Sequence, residues 1–99
     1  MAGFIQIVEY TTSRFDEVKA LSEDYRDRSN TEGSVRRVNV GADRDRPNVY
    51  VTIAEFESYD EAMKNSQRPE TQQFAEQMSK LCEGPPTFRN LDVRESFTA

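Results

Sequence analysis

Asp92 and Arg94 stand two residues apart near the C-terminal end, in a segment where apolar and polar side chains alternate. On a strand that spacing puts both on one face. There a carboxylate and a guanidinium can simply pair, as surface charges usually do to little effect. Alternatively, the carboxylate can take the proton of a phenol held beside it, with the cation steadying the anion that forms. Asn39, Gln6 and Thr52 lie in other β-rich segments. Their amides and hydroxyl can hydrogen-bond a quinone or phenol oxygen, or be satisfied by water at an interface. Tyr10 and Tyr50 can stack on an aromatic ligand or act as weak acids; they can equally pack across a dimer interface and hydrogen-bond locally through their hydroxyls. Asn65, Ser66 and Arg68 surround a break between two short helical patterns, where a polar turn needs no function. Cys82, the one cysteine, stands among apolar neighbours and suits a small buried hydrophobe better than a nucleophile. No metal-ligand spacing is present, so no metal site is expected. The chain has no histidine, which removes the usual haem ligand and the base tuned to neutral pH.

These side chains need elements to hold them. Phe4 to Tyr10 is rich in β-formers and ends in the turn-prone pair Thr11-Thr12. A helix is expected next, with Ser13 as N-cap and Phe15, Val18, Leu21 and Tyr25 as its apolar stripe. A polar connection follows from Ser29 to Gly33. Val35 to Gly41 has a strand pattern, and the charged loop Ala42 to Asn48 joins it to Val49–Phe56 as a hairpin. Ser58 followed by Glu61 is a capping box that opens a short helix through Ala62 and Met63. Pro69 suits the first turn of a third helix, which carries Phe74, Met78 and Leu81 and stops at Gly84-Pro85-Pro86. Thr87 to Phe97 completes the series as a strand.

The chain has 99 residues, enough for one domain over 1–99. Its 35% hydrophobic and 31% charged content is low in apolar residues for a monomer, yet too well patterned for disorder. Thirteen basic against eighteen acidic residues give a net charge of −5, which disfavours nucleic acid and anionic membrane as partners. No apolar run approaches a membrane span and no secretory pattern opens the chain, so a cytoplasmic location is expected.

The order strand, helix, strand, strand, split helix, strand gives an α+β domain of ferredoxin-like β-α-β-β-α-β type, its second helix split in two. It has an antiparallel four-stranded sheet with helices on one face. The face beneath the helices is expected to be aliphatic: Ile5 and Ile7, Val38 and Val40, Val49, Val51 and Ile53, Leu91 and Val93. The opposite face then carries Phe4, Gln6, Val8 and Tyr10 with Arg37 and Asn39. Tyr50, Thr52, Ala54 and Phe56 join it, as do Asn90, Asp92 and Arg94. That mixture of rings and polar groups suits either a wet homodimer interface or a ligand cavity. RNA-recognition domains share the element order, but the acidic charge and the absence of their basic, glycine-containing strand argue against that class.

The run Val51-Thr-Ile-Ala-Glu-Phe-Glu-Ser-Tyr-Asp-Glu-Ala-Met63, with the helix split at Arg68-Pro69-Glu70, resembles the dimeric α+β barrel superfamily in its antibiotic-biosynthesis-monooxygenase-like branch. The resemblance covers nearly the whole chain and is architectural. It implies a homodimer whose two sheets pack face to face, and a pocket for a small aromatic ligand. The implied activity is a monooxygenase or cyclase working without a cofactor on polyketide-like aromatic compounds. The alternative is a non-catalytic small-molecule-binding or assembly protein of the same fold. Under the enzyme reading Asp92 is the base, Asn39 an orienting donor, Tyr50 a stacking wall and Arg94 an anion stabiliser. Gln6, Tyr10, Thr52, Asn65 and Arg68 line the ligand site.

Overall fold

The computed structural model of the chain describes residues 3–29 and 35–98. Its elements run β1 (Phe4–Thr11), α1 (Phe15–Ser29), β2 (Val35–Ala42), β3 (Val49–Phe56), α2 (Tyr59–Ser66), α3 (Pro69–Leu81) and β4 (Thr87–Asp92). The four strands form one antiparallel sheet in the order β2-β3-β1-β4. This is the ferredoxin-like arrangement with the second helix split. The connection expected from Ser29 to Gly33 falls, beyond Ser29, outside the described residues.

Local chemistry explains where most elements begin and end. Ser58 is extended and its side chain accepts a hydrogen bond from the Glu61 N–H, which caps α2. Pro69 opens α3, where its missing N–H has no helical partner to lose. Gly84 takes φ 80°, a left-handed conformation that a side chain would disfavour, and turns the chain towards β4. In the β2–β3 hairpin Asn48 takes φ 67°, which asparagine tolerates better than most residues. The Asp43 carboxylate accepts from the Asp45 N–H, and the Asp43 N–H donates to the Val49 carbonyl at 2.8 Å to close that loop.

Helix α1 begins at Phe15, two residues beyond the expected cap. The oxygen that meets a backbone N–H at its start belongs to Thr12: Thr12 Oγ1 accepts from the Arg14 N–H at 3.0 Å. The same hydroxyl donates to the Leu81 carbonyl at the end of α3, at 2.6 Å. The Thr12 N–H donates to the Asn48 carbonyl. One fully buried threonine thus ties β1, the start of α1, the hairpin and the end of α3 together.

The last strand is shorter than expected, ending at Asp92 instead of Phe97. Asp92 pairs with Phe4, the first residue of β1, so the ladder has run its length there. One further bond, from the Val93 N–H to the Gly3 carbonyl, finishes it. Residues 93–98 leave without regular structure, and Phe97 is largely exposed.

Which sheet face lies under the helices is opposite to the expectation for β1, β3 and β4. Phe4 and Phe56, neighbours across the ladder, are buried against Ala62 and Met63 of α2, and Phe4 meets Tyr59 edge-on. At the other end Phe15 of α1 stacks on Tyr50 at 4.3 Å between ring centroids, and Tyr50 stacks in turn on Tyr10. The ring-bearing face is therefore the inner one. Aromatic rings bury more area than isoleucine or valine, and the helices meet them with Phe15, Tyr59 and Ala62. The aliphatic set of Ile5, Ile7, Val49, Val51, Ile53 and Leu91 is left on the open face, where Ile53 and Leu91 are 37% and 44% exposed.

Strand β2 has the opposite phase from that expected relative to its neighbours. Val38 and Val40 stand beside Ala54 and Thr52 on the inner face, while Arg37 and Asn39 stand beside Glu55 and Ile53 on the open one. A register irregularity between Val35 and Arg37 breaks the simple alternation at the start of this edge strand. Helices α1 and α3 pack on one another through the stacked rings of Tyr25 and Phe74, 4.7 Å apart. The Tyr25 hydroxyl also hydrogen-bonds that of Thr71 at 2.7 Å.

Candidate functional site

The inner sheet face collects the groups with chemical capacity. Antiparallel partners point the same way, so the register sets Tyr10 beside Tyr50, Val8 beside Thr52, Gln6 beside Ala54 and Phe4 beside Phe56. On the other side of β1, Gln6 stands beside Asn90 and Phe4 beside Asp92. Five of the expected site residues, namely Gln6, Tyr10, Tyr50, Thr52 and Asp92, therefore share one face.

Tyr10 is buried and its phenol is held above the usual tyrosine range by loss of solvent, against the opposing effect of a hydrogen bond with Thr52. The nearby Cys82 thiol and Tyr50 push it further in the same direction. At neutral pH Tyr10 is a neutral hydrogen-bonding group under the helices, suited to donating a hydrogen bond and not to taking a proton. Cys82 is half-buried, and burial raises its thiol too, which fits a packing residue and not a nucleophile. Gln6 Nε2 donates to Asn90 Oδ1 at 3.2 Å, an amide pair that spans β1 and β4. Asp92 lies one inner-face position further along β4 and is exposed.

The remaining expected residues fall elsewhere. Asn39 is on the open face, beside Ile53 and in a shallow depression with Gly41 and Val51. The sheet separates it from Tyr50, Thr52 and Asp92. Arg94 lies beyond the end of β4 and is exposed. Asn65 is in the last turn of α2, and its carbonyl accepts from the Arg68 N–H across the helix break. Arg68, the residue before α3, is largely covered and pairs with Glu70 at 3.0 Å. These two lie at the C-terminal end of α2, the helix that stands over the Phe4 and Phe56 end of the floor.

Two contributors were not among the expected site residues. Phe15 extends the Tyr10–Tyr50 stack from the first position of α1, although its helical spacing alone marks it as core. Asn90 gains significance only from the register that sets it opposite Gln6; its alternation with Asp92 is the single signal the sequence carries. Among the described residues no group of three or more histidine, cysteine, aspartate or glutamate side chains could hold a metal ion, and no helix is long and apolar enough to cross a membrane.

No family model matches the chain, and no curated protein matches its sequence. Its fold, however, is shared over nearly the full length with several solved structures. SnoaB, a cofactor-independent oxygenase from Streptomyces nogalater, superposes with a TM-score of 0.83 at 15% identity, covering 100% of both chains. A structure named antibiotic biosynthesis monooxygenase gives 0.75 at 13% identity, covering 93% of this chain and 99% of the other. Rv0793 from Mycobacterium tuberculosis gives 0.80 at 13% identity over 97% of each chain.

Proposed function

We propose that this single-domain chain binds a small, largely aromatic molecule between its helices and the inner sheet face, and oxygenates it without a cofactor. Polyketide-like phenols are the substrate class. The observation that carries this reading is the make-up of the inner face. Stacked rings at Tyr10, Tyr50 and Phe15 stand beside a short series of polar groups, in a fold shared with a cofactor-independent oxygenase. Apolar walls with a few convergent polar groups are what a small planar ligand needs.

In this reading the exposed carboxylate of Asp92 takes the phenolic or benzylic proton, and Arg94, two residues on, steadies the resulting anion. Tyr10 remains neutral and donates to an oxygen of the ligand, while Tyr50 provides the stacking wall. The electron-rich anion then reacts with dioxygen directly. A ring methylene becomes a carbonyl, one oxygen atom stays in the product and the other leaves as water. Asn39 faces away and takes no part.

The chain works as a homodimer in the cytoplasm, paired through the open sheet face. Support for pairing comes from the aliphatic band of Ile5, Ile7, Val51, Ile53 and Leu91, edged by the Arg37–Glu55 and Arg46–Glu9 pairs. A contiguous apolar patch with a charged rim is what association surfaces present. Light scattering at micromolar concentration checks this part; a monomer mass, or an Ile53→Asp variant with unchanged mass, refutes it.

Oxygen uptake with a panel of anthrones tests the activity. Turnover above the rate in buffer, lost in Asp92→Asn, is expected. Thermal stabilisation by the same compounds without oxygen uptake would leave a binding protein and sink the oxygenase.

A further inference from the structure

The register orders the inner face into four rows across the sheet. Val35, Phe56, Phe4 and Asp92 form one end row, and Ala42, Tyr50 and Tyr10 form the other. Between them run Val38, Ala54, Gln6 and Asn90, then Val40, Thr52, Val8 and Phe88. The end rows are where the helices touch down, through α2 on Phe4 and Phe56 and through Phe15 on Tyr50. Along β3 the side chains therefore go from ring to hydroxyl to methyl to ring: Tyr50, Thr52, Ala54, Phe56. Along this strand two small side chains thus separate two rings. At about 3.3 Å per residue, Phe4 to Tyr10 spans roughly 20 Å of strand, a length that matches a ligand of two to four fused rings.

Gln6 stands between the end rows, next to Ala54, and its partner Asn90 is on the exposed edge strand. Once Gln6 Nε2 is bonded to Asn90 Oδ1, the pair still holds the Gln6 carbonyl oxygen and the Asn90 amide N–H groups for a third party. The pair is half sheltered on the Gln6 side and wet on the Asn90 side. A planar molecule with one oxygenated edge fits that gradient, rings inward over Ala54 and Thr52, oxygen outward. That orientation also brings the oxygen to the β4 side of the floor, one row from the Asp92 carboxylate.

Resting on the site proposed above, we infer that the Gln6–Asn90 amide pair is its specificity-determining element: it takes the keto or phenolic oxygen on one edge of a planar polycyclic ligand and so sets which edge faces Asp92. The two amides act as one unit, because each fixes the rotamer of the other. Removing either loses the same recognition, and removing both loses little more.

Equilibrium binding under nitrogen, read by quenching of tyrosine fluorescence, tests this with two probes: 1,8-dihydroxyanthrone and its oxygen-free counterpart anthracene. The wild-type chain should prefer the hydroxyanthrone by about tenfold or more, the scale of one or two hydrogen bonds. Gln6→Leu and Asn90→Leu should each remove most of that preference by weakening the hydroxyanthrone and not anthracene, and the double variant should match the singles. Asn90 is exposed on an edge strand, so Asn90→Leu keeps the test available if Gln6→Leu destabilises the sheet. An undiminished preference in both variants overturns the role of the pair and leaves the site standing. A wild-type chain that binds neither probe overturns both.

Discussion

Replacing Thr12 by valine keeps the shape of the side chain and deletes one hydroxyl. In the structure that hydroxyl is fully buried, donates to Leu81 O and accepts from Arg14 N. Each hydrogen bond contributes about 0.5–1.5 kcal/mol net, so the pair is worth roughly 1–3 kcal/mol. The losses do not stop there, because valine leaves the Leu81 carbonyl and the Arg14 N–H facing a methyl group at a fully buried side-chain position. That places the expected loss in the upper part of the range, about 2–3 kcal/mol. For a domain near 100 residues each kcal/mol moves Tm by roughly 4–8 °C, so a fall of about 8–24 °C is expected. Urea unfolding at fixed protein concentration, followed by circular dichroism, should show a lower midpoint with an unchanged slope. Thr12→Ser, which restores the hydroxyl, should recover most of the loss. A valine variant within about 1 kcal/mol of wild type, or a serine variant no better than valine, would refute the view that this hydroxyl clamps the two helix ends.

Phe4→Ala removes a buried ring that meets Phe56 and Tyr59, and should lower stability by about 3–5 kcal/mol in the same unfolding assay. Ser58→Ala deletes the oxygen that caps α2 and should cost about 1 kcal/mol, with Ser58→Asp close to wild type. Tyr10 has a raised folded-state pKa, chiefly from desolvation, so its contribution is complete below the unfolded value near 10 and is lost as pH rises through the folded value. Urea midpoints measured up to about pH 11 should therefore fall less steeply in Tyr10→Phe than in wild type.

The element order was legible because each device that sets it is local. Ser58 with Glu61, Pro69, Gly84 and the β-forming run Val49–Phe56 all act within a few residues, and each sets the kind of element its types predict. The direction in which the sheet faces was not legible. Strands β1 and β3 are apolar on both sides, so a period of two separates Ile5 from Phe4 and Val51 from Tyr50 without saying which set meets the helices. That choice is made by shape, by Ala62 and Met63 fitting around Phe4 and Phe56. The face of Asn39 is hidden for a related reason: it depends on which β3 residue Asn39 opposes, and the irregularity between Val35 and Arg37 leaves no mark in the residue types. Thr12 was hidden inside a Thr-Thr pair that marks a turn, while its partner Leu81 lies 69 positions away.

Strand β4 is exposed at every one of its six positions and is held by a single ladder to β1. In an isolated chain it is the part of the sheet with least to lose by opening. Its amides should exchange with solvent through local detachment, well before those of β1 and β3, which are paired on both sides. The timescale of that detachment then governs when Asn90 and Asp92 are in position. A second chain laid over the open face would slow it, so that assembly and the order of the proposed site become one equilibrium.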